Sequence, residues 1–168
     1  MSATASDRHR PELDAPSEPS AGARRRRLDR IQADVLAAVA AGGALGAPAR
    51  YEVTRLVHVA PGTFPWSTFW TNVTGSLALG FVLVVVAERF PPTRYLRPFF
   101  ATGFLGAYTT FSTFMVESVT LTKDGHAVVA GTYLIASVAT GFPAVWAGIV
   151  AGRLVSRRSH NPTGRFTP

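Results

Sequence analysis

The chain has 168 residues, 47% of them hydrophobic, with a mean hydropathy of +0.18 and a formal net charge of +7. It has no cysteine, which excludes a disulfide framework, a thiolate metal site and a thiol nucleophile. Its basic residues flank long apolar runs, a pattern that belongs to membrane topology rather than to nucleic-acid binding.

Residues 1–30 are rich in Ser, Ala, Pro, Glu and Arg and lack an apolar period, so they read as a disordered basic tail on the cytoplasmic side. No cleavage pattern of a signal peptide follows the RRRR run at 24–27. A four-helix transmembrane unit is expected over 31–155, and 156–168 reads as a second disordered basic tail. No internal repeat links the spans.

Span 1 is expected over 31–58. Gly42, Gly43, Gly46 and Ala47 lie at the small-residue spacing that lets helices approach closely in lipid. Asp34 stands near its start, where an acid suits a helix N-terminus. Arg50 is the costly residue, because a buried arginine in a span must be paired or must snorkel to an interface. Two roles stay open for it: snorkelling, or a buried bond to backbone carbonyls or to Glu117.

Pro61, Gly62 and Pro65 break the chain before span 2, expected over 66–87. There Thr68, Asn72 and Ser76 fall at i, i+4 and i+8 on one face. Such a stripe either glues helices together or lines a pore.

Span 3, expected over 95–122, contains GAYTTFSTF at 106–114. Gly103, Gly106, Thr109, Thr110 and Thr113 are poor helix formers, so this span is expected to be broken there. A broken span exposes backbone polar groups, which is tolerated only inside protein or along a cavity. Freed carbonyls are hard ligands suited to a small cation. Phe111 and Phe114 are three apart; their ring edges carry partial positive charge and suit an anion, or they pack in a core.

Span 4, expected over 126–152, carries Tyr133, Ser137 and Thr140 on one face. None of the donors on these stripes is negatively charged, which points to a small anion. No HExxH or G-x-S-x-G occurs, and the four histidines are scattered, so neither an enzyme nor a histidine metal site is expected.

Three stretches, GGALGAPARY in span 1, TFWTNVTGSLALG in span 2 and GFLGAYTTFSTF in span 3, together resemble the fluoride ion channels of the Fluc (also called CrcB) family. The resemblance covers residues 33–155. It implies passive, fluoride-selective export that protects the cell from fluoride, carried out by a dual-topology dimer of antiparallel subunits. It also implies a fluoride pathway through Thr68, Asn72, Phe111, Ser112, Thr113, Phe114, Tyr133 and Ser137. A structural Na+ at the dimer interface would be held by the backbone carbonyls of Gly106 and Thr109. Arg50 and Glu117 match recurring charged positions without an assigned role. The chain departs from the family where Ala107-Tyr108 replaces the usual Gly-Leu, and where Gly141 shortens the span 4 track. A proton-coupled small-anion exporter using Glu117 is the alternative, and a non-transporting assembly subunit is a third possibility.

Fourteen basic residues fall on the side of the tails and the 2–3 loop, against Arg55 and Lys123 opposite. This places both termini in the cytoplasm of a multi-pass cell-membrane protein. So one-sided a chain is poorly suited to inserting both ways. A heterodimer with a homologue of opposite bias is therefore expected in the native cell, with a homodimer as the other possibility.

Overall fold

The computed structural model describes residues 21–90 and 94–158, and the described residues are helical with no strand. The elements are α1 (Ala21–Leu56), α2 (Trp66–Arg89), a π-helical segment (Pro98–Leu105), α3 (Gly106–Tyr108), α4 (Phe111–Lys123) and α5 (Ala127–Arg158). Residues 1–20 and 159–168, where most of the two expected tails fall, lie outside the described residues. Helix α1 begins at Ala21, upstream of the expected start at Ile31. Alanine and arginine are both strong helix formers, and they carry the helix back through the basic run.

Three segments are long and apolar enough to cross a membrane: Trp66–Arg89, Pro98–Lys123 and Ala127–Arg157. Helix α1 has the length, but its small residues and Arg50 leave it short of that apolarity. The chain is a helical, multi-pass membrane protein.

Its packing follows from lipid as solvent. Apolar side chains gain little by turning inward there, so small and polar groups fill the helix contacts. Ser67, Thr68, Thr71 and Ser118 are buried, while Val128, Phe142 and Ile135 are more than 70% exposed. Thr71 and Ser118 each donate to the carbonyl four residues back, at 2.7 Å, which satisfies the hydroxyl within its own helix.

Two tight pairs dominate: α1 against the π-helical segment, and α2 against α5. In the first, Gly42 and Gly46 lie on the backbone of the segment. A Cβ at Gly42 would overlap the Phe99 carbonyl oxygen, and one at Gly46 the Phe104 carbonyl oxygen. In the second pair, Gly80 and Gly148 play the same part against Val145 and Leu77. The small residues expected to let span 1 pack closely therefore act at Gly42 and Gly46.

A small aromatic core of Phe69, Phe114 and Tyr133, flanked by Phe64, closes the end of the bundle away from the tails. Its rings meet edge-on, with Phe64–Tyr133 at 5.2 Å and Phe114–Tyr133 at 4.9 Å, as ring quadrupoles favour. At the tail end, Asp34 of α1 pairs with Arg94 at 3.7 Å and accepts from the Tyr95 hydroxyl.

Candidate functional site

The π-helical segment runs straight into α3, and helical hydrogen bonding stops at Thr109 and Thr110. Both take extended backbone angles, φ −78°, ψ 160° and φ −147°, ψ 124°. Two substitutes take over the lost helical bonds. In an unbroken helix the Thr110 amide would bond to the Gly106 carbonyl. Here it donates to the Asn72 side-chain oxygen at 2.9 Å. The Thr113 amide would likewise bond to the Thr109 carbonyl, and instead donates to the Thr110 hydroxyl at 3.2 Å. Thr110 is thus the N-cap of α4, a role its residue type favours.

The carbonyls of Gly106 and Thr109 are released from their usual partners by these exchanges. They are neutral, hard oxygens, which fits a small cation chemically. Arg50 donates from Nη1 to the Thr109 carbonyl at 3.4 Å. Of the roles left open for Arg50, the structure shows the bond to a backbone carbonyl. Glu117 is engaged elsewhere.

Asn72 also donates from Nδ2 to the Thr110 carbonyl at 3.0 Å. One amide side chain therefore satisfies both backbone groups of Thr110. Beside it lies a cavity of about 310 Å³ between α2 and the third span, lined in part by Asn72, Ser76, Gly106, Thr109, Thr110 and Phe111. No acidic or basic side chain lines it.

Thr68, one turn before Asn72, looks in another direction. Its hydroxyl donates to Glu117 Oε1 at 2.9 Å, and the Tyr133 hydroxyl donates to Glu117 Oε2 at 2.8 Å. Both carboxylate oxygens are thereby hydrogen-bonded within the bundle. Tyr133 is fully buried. The Ser137 hydroxyl, one turn further along α5, is buried with no partner among the described residues, while Thr140 donates to its own helix at Ala136.

Phe111 and Phe114 lie with ring centroids 6.1 Å apart and planes inclined by 45°. Their surroundings differ: Phe111 is 74% exposed and borders the cavity, while Phe114 is 8% exposed and sits in the aromatic core. Ser112 and Thr113 are exposed, and their hydroxyls lie 3.3 and 3.0 Å from that of Thr110.

The residues singled out from sequence thus form two clusters. Asn72, Gly106, Thr109, Phe111, Ser112, Thr113 and Arg50 gather at the interruption; Thr68, Glu117, Tyr133 and Phe114 gather toward the aromatic end. Two features were missed. One is Thr110 as cap, signalled by a threonine three residues before Thr113. The other is a hydrogen bond of 2.9 Å between Tyr108 and Thr74 hydroxyls, which nothing in the sequence spacing announces.

A family model described as "CrcB-like protein, Camphor Resistance (CrcB)" matches residues 37–149. The chain is 46% identical over 129 residues to a protein of Streptomyces avermitilis named fluoride-specific ion channel FluC 3, covering 77% of this chain and 63% of that one. The match thus spans less than two thirds of that relative. It is 44% identical over 126 residues to fluoride-specific ion channel FluC 1 of Streptomyces coelicolor, covering 75% of this chain and 82% of the other. A third relative, fluoride-specific ion channel FluC 1 of Mycobacterium tuberculosis, is 42% identical over 123 residues, with 73% and 93% covered.

Proposed function

The chain belongs to the CrcB-like family, and from that membership we propose that it is a fluoride-selective ion channel. Fluoride leaves the cytoplasm through it passively, down its electrochemical gradient, and the cell is spared fluoride toxicity. Hydrogen fluoride enters as a neutral acid and ionises inside, so a conductive route for the stranded anion is enough.

One observation supports this most directly. The cavity at the interruption sets the amide of Asn72 and the hydroxyls of Ser76, Thr109 and Thr110 among aliphatic and ring groups, with no carboxylate to repel an anion. Asn72 spends one amide N–H on Thr110, and its second has no acceptor among the described residues. A small anion stripped of water needs such donors, because a desolvated charge is costly without them. Phe111 presents an exposed ring beside them.

The working unit is an antiparallel dimer, with the cavity and the exposed Phe111 turned toward the partner subunit. The Gly106 and Thr109 carbonyls, with those of the partner subunit, would hold a structural Na+. One chain offers two such oxygens, the Thr109 carbonyl also accepting from Arg50; this is fewer than hard cations usually gather, and a second copy doubles the number. The bound ion would supply a fixed positive charge at mid-membrane, while Asn72 and Thr110 hold the backbone that ligates it. All four spans cross the membrane, with both termini cytoplasmic. In the native cell the partner is a homologue of opposite charge bias.

The test is fluoride efflux from liposomes holding the purified chain, with and without a proton gradient. Electrogenic efflux independent of the proton gradient is expected. Efflux that requires a proton gradient and disappears in Glu117→Gln would instead identify a coupled exporter.

A further inference from the structure

A second groove lies about a quarter-turn around α2 from the polar cavity, by the 100° rotation each helical residue makes. Its volume is about 190 Å³, and it is lined by Phe81, Val82, Val85, Val86, Phe90 and Phe100. Every lining residue is apolar, so water gains nothing by entering. It lies in the half of α2 nearest the tails, against the start of the π-helical segment.

Two arginines stand close in sequence to residues that line this groove. Arg89 precedes Phe90 and stands one turn beyond Val85 and Val86 on the same side of α2. Arg97 is exposed and lies just before Phe100 on the third span. Arg89 donates from one guanidinium nitrogen to the Val155 carbonyl at 2.7 Å, a neutral partner that leaves its charge uncompensated. The ion pairs formed among the described residues are Arg55–Glu52 and Arg94–Asp34, so neither Arg89 nor Arg97 is neutralised there. Glu88 is the one acidic neighbour in sequence, and it is exposed.

We propose that this groove seats an acyl chain of an anionic phospholipid, with Arg97 and Arg89 holding its headgroup phosphate. An apolar slot at membrane depth suits a hydrocarbon tail. The two nearby arginines would choose among headgroups, since guanidinium pairs with phosphate in a two-pronged geometry. A zwitterionic lipid offers the same tail and phosphate but cancels the charge. Charge complementarity therefore favours an anionic lipid over a zwitterionic one. The inference stands independently of which ion the protein conducts.

The full chain, purified in detergent, is offered dioleoyl phosphatidylglycerol and dioleoyl phosphatidylcholine in equal amounts, and retained lipid is counted by native mass spectrometry. The wild type is expected to retain phosphatidylglycerol preferentially. Arg97→Gln, a change at an exposed side chain, is expected to lower that preference about fivefold, the effect of one basic residue near an anionic surface. Val85→Trp fills the slot and is expected to abolish retention of both lipids. Equal retention of the two lipids by the wild type, or an unchanged preference in Arg97→Gln, would overturn the proposal. A lipid-free dimer in the same spectra would mean that a second copy covers the groove, which also overturns it.

Discussion

Asn72 and Thr110 exchange two hydrogen bonds, 2.9 Å from the Thr110 amide and 3.0 Å to its carbonyl. A side chain on one helix thereby replaces the backbone neighbours that Thr110 lost when its own helix was interrupted. The exchange lets an extended pair of residues persist where lipid would not tolerate it.

Replacing Asn72 with Asp keeps the acceptor for the Thr110 amide and removes the donor to its carbonyl. It also places a negative charge beside the cavity. Fluoride efflux is expected to fall by about tenfold or more, since like charges brought together cost more than 1 kcal/mol. Asn72→Ala removes both bonds and is expected to cost about 2 kcal/mol of stability at roughly 1 kcal/mol each. Efflux assays and melting in detergent check the two effects. Wild-type efflux in Asn72→Asp would show that no anion approaches this side chain.

The two phenylalanines should behave differently. Phe114 is in the core and Phe111 is not. Phe114→Ala is expected to cost about 3–5 kcal/mol of stability. Phe111→Ile is expected to leave melting almost unchanged while slowing efflux about fivefold, the equivalent of roughly 1 kcal/mol from a ring edge. If efflux through Phe111→Ile equals wild type, the exposed ring plays no part in conduction.

Tyr108 stacks on Phe104 with centroids 6.2 Å apart and donates to or accepts from Thr74. Tyr108→Phe and Thr74→Val are each expected to cost about 1 kcal/mol, and the double variant little more than either. Melting temperatures of the four proteins measure the coupling. Additive losses would mean that the two hydroxyls do not act as a pair.

The charge bias carries its own prediction. Tags at each terminus, probed in native membranes, should report one orientation with both ends inside. The chain expressed alone should conduct poorly until a homologue of opposite bias is supplied. Equal populations in the two orientations, with full efflux from this chain alone, would exclude the heterodimer.

Much of this was legible because lipid imposes strict rules on sequence. The charge-free runs at 56–87, 98–116 and 125–152 each overlap a segment long and apolar enough to span. The weak helix formers between Gly103 and Thr113 bracket the extended pair Thr109–Thr110. What stayed hidden depends on rotation and partner choice. Thr68 and Asn72 share a helical stripe, yet Thr68 reaches Glu117 and Asn72 reaches Thr110. Spacing assigns a side chain to a face, but it does not say which neighbour lies across from each turn. Phe111 and Phe114 show the same limit, since a shared face is only partly covered by the aromatic core.

The two tight helix pairs are interleaved along the chain: α1 finds its main partner in the third span, and α2 finds its own in α5. Consecutive helices α1 and α2 touch little. During synthesis, the glycine faces at Gly42, Gly46 and Gly80 therefore emerge with nothing to close on. They must wait in the membrane until the second half of the chain has been inserted. The first hairpin is an unfinished surface rather than a folding unit, and a ribosome that stalls after Arg89 leaves a fragment with no stable form of its own. Halves divided in the 2–3 loop and made together should reassemble, because each supplies one member of both pairs.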